Sequence, residues 1–124
     1  MTKSTRSREL GIRGEQEAAE HLERSGFRIL ARNWRCAEGE IDIVAHEAAT
    51  GDVVIVEVKT RRGHGAGHPF EAVSREKLSR LRTLATAWSL AHPGVGCRRR
   101  IDVVGVTAWP DDSLTVQHLV AVDL

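Results

Sequence analysis

Four consecutive apolar β-branched residues, Val53-Val54-Ile55-Val56, run straight into Glu57-Val58-Lys59, so the most hydrophobic stretch of the chain ends on two ionisable side chains. A run this apolar reads as a strand covered on both faces. Leaving even a neutral polar group unpartnered in such a place costs roughly 2–7 kcal/mol. The chain must therefore fold with layers on both sides of a sheet, and something must compensate the charges where the run ends. Alternation sends Glu57 and Lys59 to the same side of the strand, about 6–7 Å apart, which suits a catalytic edge.

The rest of the chain bounds what that edge can serve. With 124 residues it fits a single domain over 1–124, long enough to bury about two thirds of its unfolded surface. The formal charge of +1 gives no global basic field, so any nucleic-acid surface must be local. Cys36 and Cys97 form no C-x-x-C pair, which indicates neither a zinc site nor a disulfide framework. Residues 1–8 are polar and basic with no apolar segment behind them, so they read as an amino-terminal tail. No segment has the length of a membrane span, and the expected location is the cytoplasm.

The coarse order is helix, three strands, helix, two strands. A first helix begins between Ser7 and Gly14 and stops at Gly26. Phe27 to Asn33, Glu40 to His46 and Val53 to Lys59 make a three-stranded meander, the last two strands joined by a polar hairpin loop. Thr60 to Pro69 is glycine-rich and reads as a surface loop. Leu78, Leu81, Ala85 and Trp88 lie at helical spacing in a second helix from Glu71 to Ala91, closed by His92-Pro93-Gly94. Ile101 to Thr107 and Ser113 to Val120 are the last strands. A helix between the third and fourth strands permits a parallel crossover, so the expected fold is α/β with a mixed sheet flanked by helices.

Glu-x-Lys at a strand end is by itself the pattern of a surface ion pair worth ~0–1 kcal/mol. Two more acids change that reading. In Gly39-Glu40-Ile41-Asp42-Ile43-Val44, alternation puts Glu40 and Asp42 on one face and Ile41 and Ile43 on the other. An antiparallel pairing with the next strand then brings Asp42 toward Glu57. Glu15 sits on a helical stripe with Gly11, Ala18, Ala19 and Leu22, the small apolar face that approaches the sheet. If Asp42 and Glu57 come within about 4 Å, their repulsion is about 4 kcal/mol at an effective dielectric near 20. That charge asks for a cation. Oxygen ligands of this kind suit Mg²⁺ or Mn²⁺, and Lys59 beside them would hold an attacking water and offset charge on a phosphate.

Gly14-Glu15 with Ala18 and Leu22, Asn33, GEIDIV at 39–44, VEVKTR at 56–61, EAV at 71–73, Lys77 with Arg80-Leu81, and RIDVV at 100–104 resemble the bacterial YraN family over nearly the whole chain. That family is similar to the PD-(D/E)XK, or restriction endonuclease-like, nucleases, akin to Holliday-junction resolvases. The resemblance implies an αβββαβ core, with Asp42 as the metal-binding aspartate, Glu57 and Lys59 as the Glu-x-Lys, and Glu15 as the first-helix glutamate. Ile41 stands where the proline of the "PD" element would be.

The resulting expectation is an Mg²⁺- or Mn²⁺-dependent endonuclease acting on DNA, branched DNA included. Asp42, Glu57 and the Val58 carbonyl would bind metal, Lys59 would position water, and Glu15 would complete the shell. The alternative is a DNA- or protein-binding module on the same fold with little or no cleavage. Arg61, Lys77, Arg80 and Arg100 are the candidates for tracking a nucleic-acid backbone. Junction resolution usually needs two active centres, so a homodimer is the expected assembly. His64 and His68 lie in a glycine loop and make a poor metal pair. Trp34, Trp88 and Trp109 read as core or interface residues.

Overall fold

The structure, a computed structural model, describes residues 2–63, 73–95 and 98–122. Seven elements follow one another: α1 (Lys3–Arg24), β1 (Phe27–Cys36), β2 (Gly39–Glu47), β3 (Val53–Arg62), α2 (Arg75–Ala91), β4 (Arg99–Ala108) and β5 (Leu114–Leu119). The strands form one sheet in the order β1-β2-β3-β4-β5. β1, β2 and β3 are an antiparallel meander, β3 and β4 are parallel, and β4 returns antiparallel as β5. The αβββαβ core implied by the family resemblance is thus the fold, and the last strand read from the sequence, β5, lies at the edge. Among the described residues no helix is long and apolar enough to cross a membrane.

The apolar run sits where its composition demands. Val53, Val54, Ile55 and Val56 are all buried, with Val54 and Val56 in the core under α1 and Val53 and Ile55 in the core under α2. Ala18, Ala19 and Leu22 supply α1's part of the first core. Leu81, Leu84, Ala85 and Trp88 supply α2's part of the second. Two helical layers on one sheet explain why β3 needs no polar face.

Several boundaries differ from the sequence reading. The polar opening is no tail: α1 starts at Lys3, with the Thr2 hydroxyl accepting the Thr5 N–H at 3.2 Å as its cap. Thr60, Arg61 and Arg62 continue β3 instead of opening a loop, because the parallel pairing with β4 runs on to Arg62 opposite Ala108. α2 begins at Arg75 behind the Ser74 cap. The proposed start at Glu71, together with His64, His68 and Cys97, lies outside the described residues. Ile41 and Ile43 do not share a face: Ile41 packs in the α2 core and Ile43 in the α1 core.

α1 crosses close to β3 at Gly14. A Cβ there would lie 2.7 and 2.8 Å from the Thr60 Cγ2 and Cβ atoms, well inside contact distance. This approach sets how near Glu15 comes to the sheet. Gly14→Ala is expected to lower stability by about 1–3 kcal/mol, the usual cost of overpacking, measured by urea denaturation. Unchanged stability would show that α1 can lift away freely.

Candidate active site

The site forms where the sheet comes apart. β2 and β3 pair from His46 opposite Val53 to Ile43 opposite Val56 and no further, while β3 stays hydrogen-bonded to β4. At the same level β1 is irregular: Asn33 has φ 53°, the left-handed region, and falls between the pairs Arg32–Ile43 and Trp34–Ile41. Asparagine tolerates this conformation better than most side chains. The local break accounts for Ile41 and Ile43 parting to opposite faces, and it leaves Asp42 at the mouth of the gap.

Asp42 bridges that gap. Its Oδ2 accepts the Val58 N–H at 2.8 Å, a donor that β2 backbone no longer satisfies. Burial pushes the Asp42 carboxyl up, and the nearby Glu57, Glu15 and Glu40 carboxylates push it further, to about 6. The Val58 N–H opposes that rise without overcoming it.

Glu57 and Lys59 leave β3 on the α2 side, as alternation from Val53 and Ile55 requires. Lys77, from the first turn of α2, meets Glu57 with Nζ 2.8 Å from Oε1. Both side chains are mostly covered, at 22% and 12% exposure. Lys59 lies beside this pair. Burial lowers its ammonium's affinity for a proton, and the Lys77 charge lowers it further.

Glu15 approaches from the α1 layer and is only 17% exposed. Its Oε1 accepts from Asn33 Nδ2 at 2.8 Å and from the Arg32 guanidinium at 3.4 Å. The Arg32 fork also donates to Gln16 at 2.9 Å. Glu15 is therefore close enough to repel Asp42 but is fixed by β1, and it reaches the gap from the opposite side to Glu57. Sequence reasoning left Arg32 without a role and gave Asn33 none beyond the resemblance. The signal available was an Arg-Asn pair inside a strand, since asparagine is depleted there.

A cavity of about 510 Å³ occupies the gap, lined among others by Glu15, Arg32, Asn33, Asp42, Val58 and Lys59. Arg8 and Ile12 of α1 form its outer wall. Glu57 does not line it; its carboxylate is turned to Lys77. Among the described residues no three His, Cys, Asp or Glu side chains group as a ready metal shell. The oxygen donors here of the type a hard divalent cation takes are the Asp42 and Glu57 carboxylates and the Val58 main-chain oxygen. An Asp42 carboxyl raised to about 6 partly by Glu57 is the electrostatic excess such an ion relieves.

The proposed backbone-tracking residues separate. Arg80 is exposed on α2 one turn beyond Lys77, and Arg61 is half-buried on β3 opposite Thr107. Lys77 is engaged by Glu57 as described. Arg100 is not available to a nucleic acid. Its guanidinium, 11% exposed, donates to Glu47 at 2.6 Å, Asp52 at 3.2 Å and both oxygens of Asp102 at 2.9 Å. Asp102 is fully buried; besides Arg100 it accepts from the Ala121 N–H and pairs with His118 at 2.8 Å. Trp34 and Trp88 meet edge to face at 5.4 Å in and against the α2 core, while Trp109 is 42% exposed.

Two solved structures share a distant outline with the chain. One, described as an EndoMS–dsDNA2 complex, aligns at 18% identity and TM-score 0.44 over 71% of this chain and 34% of that one. The other, Pyrococcus furiosus SfsA in complex with Ca²⁺, aligns at 14% identity and TM-score 0.35 over 85% and 58%. Sequence relatives are much closer. A UPF0102 protein of Clavibacter michiganensis is 58% identical over 106 residues, covering 86% of this chain and 87% of its own. One of Mycolicibacterium smegmatis is 48% identical over 122 residues, 98% of each. The model of the uncharacterised protein family UPF0102 matches residues 14–106, which span α1 from Gly14 through most of β4 and include every residue at the gap except those of the first turns of α1. This chain belongs to the UPF0102, or YraN, family.

Proposed function

We propose that this protein is an Mg²⁺- or Mn²⁺-dependent endonuclease that hydrolyses DNA phosphodiester bonds, with branched DNA as its preferred substrate. The observation that carries the reading is the Asp42 carboxyl, raised to about 6 by burial and by Glu57 at the mouth of a cavity that also holds Lys59. Clustered, half-buried carboxylates cost stability unless a cation or a reaction uses them. The resemblance to the PD-(D/E)XK nucleases supplies the reaction class.

In this reading Asp42, Glu57 and the Val58 carbonyl would hold a divalent ion, which would supply positive charge against the phosphate oxygens and activate water. Asp42 is also tied to the Val58 N–H at 2.8 Å, which holds its carboxylate beside that segment of β3. Lys59, its ammonium weakened by burial, orients the attacking water and faces the developing charge on phosphorus. Glu15, braced by Asn33 and Arg32, supplies a second-layer acceptor for that water. Arg61 and Arg80 lead the backbone away from the gap. A branched substrate is cut on two strands, so the working unit is a homodimer.

The test is cleavage of branched, single-stranded and duplex DNA with Mg²⁺, Mn²⁺ or EDTA, by wild-type protein and by Glu57→Gln and Lys59→Ala. Metal-dependent cuts that both variants lose are expected. DNA binding without such cuts would replace this reading with that of a binding module.

A further inference from the structure

Resting on the metal-dependent reading above, we propose that Lys77 is a resident competitor for the divalent cation: its ammonium holds the Glu57 ligand position and must be displaced when metal binds. Three observations converge. Glu57 is the one proposed ligand side chain that does not line the cavity, and Lys77 is what covers it, 2.8 Å away. The main chain at Lys77 is anchored, its N–H donating to the Ser74 hydroxyl at 3.1 Å. Leu78 packs against the α2 core and Leu81 is buried in it, so the ammonium is aimed by the helix and only the flexible side chain need move.

A lysine suits this role better than an arginine. Its ammonium is a compact charge on a long stem and leaves by rotating its own bonds. Once a divalent ion takes Glu57 and Asp42, Lys77 is left with Lys59 beside it and repelled by the metal. The anion that then attracts it is the phosphate of an incoming strand. Metal loading and substrate binding thereby become coupled through one side chain, each releasing what the other needs.

The experiment is calorimetric titration of Mn²⁺ into wild-type protein, Lys77→Met and Lys77→Arg, with Asp42→Asn as the protein lacking the site. Lys77→Met is expected to bind Mn²⁺ about tenfold more tightly than wild type, between the effects of exposed and buried ion pairs. Lys77→Arg is expected to bind no more tightly than wild type, since a guanidinium also satisfies Glu57. The chain has only three lysines, Lys3, Lys59 and Lys77, so the Nζ signals of ¹⁵N-lysine protein are assignable, and Mg²⁺ is expected to move that of Lys77. If wild type binds in an Asp42-dependent manner and Lys77→Met binds equally or more weakly, the competitor role is overturned while the metal reading stands. If neither shows Asp42-dependent binding, both fall. Lys77→Gln repeats the comparison should Lys77→Met fold poorly.

Discussion

Replacing Arg100 with methionine is expected to destabilise the protein by about 3–5 kcal/mol, the cost of stranding buried charge. Three carboxylates share that one guanidinium: Asp102 is fully buried, Asp52 is 6% exposed and Glu47 is 19% exposed. Burial alone would push the Asp102 carboxyl up, but hydrogen bonds from His118, Arg100 and the Ala121 N–H outweigh it and hold it below the usual carboxylate range. A carboxyl lowered in the fold contributes stability above its unfolded pKa and loses it as pH falls through the folded one. Removing Arg100 takes away part of that lowering, so the deficit of the variant should be largest near pH 7 and smaller near pH 3, where the carboxyl protonates in both proteins. Urea titrations at both pH values measure it. A loss below about 1 kcal/mol at pH 7 would show that the network tolerates the vacancy, and a loss that Asp102→Asn does not relieve would show that Asp102 is not the stranded charge.

Asp42→Asn carries the opposite sign. The native Asp42 carboxyl is raised from 3.8 to about 6, by burial first and by Glu57 second. The fold thus binds that proton more tightly than the unfolded chain does, and stability falls as pH rises from about 4 to about 6. The whole penalty is about 3 kcal/mol at pH 8. Asparagine keeps an acceptor for the Val58 N–H and has no charge to repel Glu57. The variant is therefore expected to be about 1–3 kcal/mol more stable than wild type at pH 8 without added metal, and equal to it near pH 4. Added Mn²⁺ should raise the melting temperature of wild type alone. Equal stability of the two proteins at pH 8 would mean that Asp42 is solvated in solution and the site is not poised for a cation.

The elements that the sequence made legible are those whose signal is local. The β-branched run of β3, the spacing of Leu78, Leu81, Ala85 and Trp88, and the hairpin before Val53 each report on their own surroundings. The nearness of Glu57 to Asp42, felt as repulsion at Asp42, follows from the antiparallel hairpin, but the turning of Glu57 to Lys77 and away from the cavity does not. What alternation could not give was the break at Asn33 and Asp42, where a left-handed residue in β1 parts Ile41 from Ile43. Arg100 was misread for a different reason. In the sequence it is the third of three arginines, and its partners Glu47 and Asp52 lie about fifty positions upstream, brought near only by the parallel β3–β4 joint. Lys77 shows the same blindness to distance, since α2 alone does not say which acid its first turn will meet.

The parallel joint also sets an order of events during synthesis. Glu57 and both acids of the β2–β3 turn leave the ribosome ahead of Lys77 and Arg100, the cations that pair with them from the second half of the chain. The nascent meander therefore carries Glu47, Asp52 and Glu57 without those ion-pair partners. Their pairing waits for the crossover through α2 into β4.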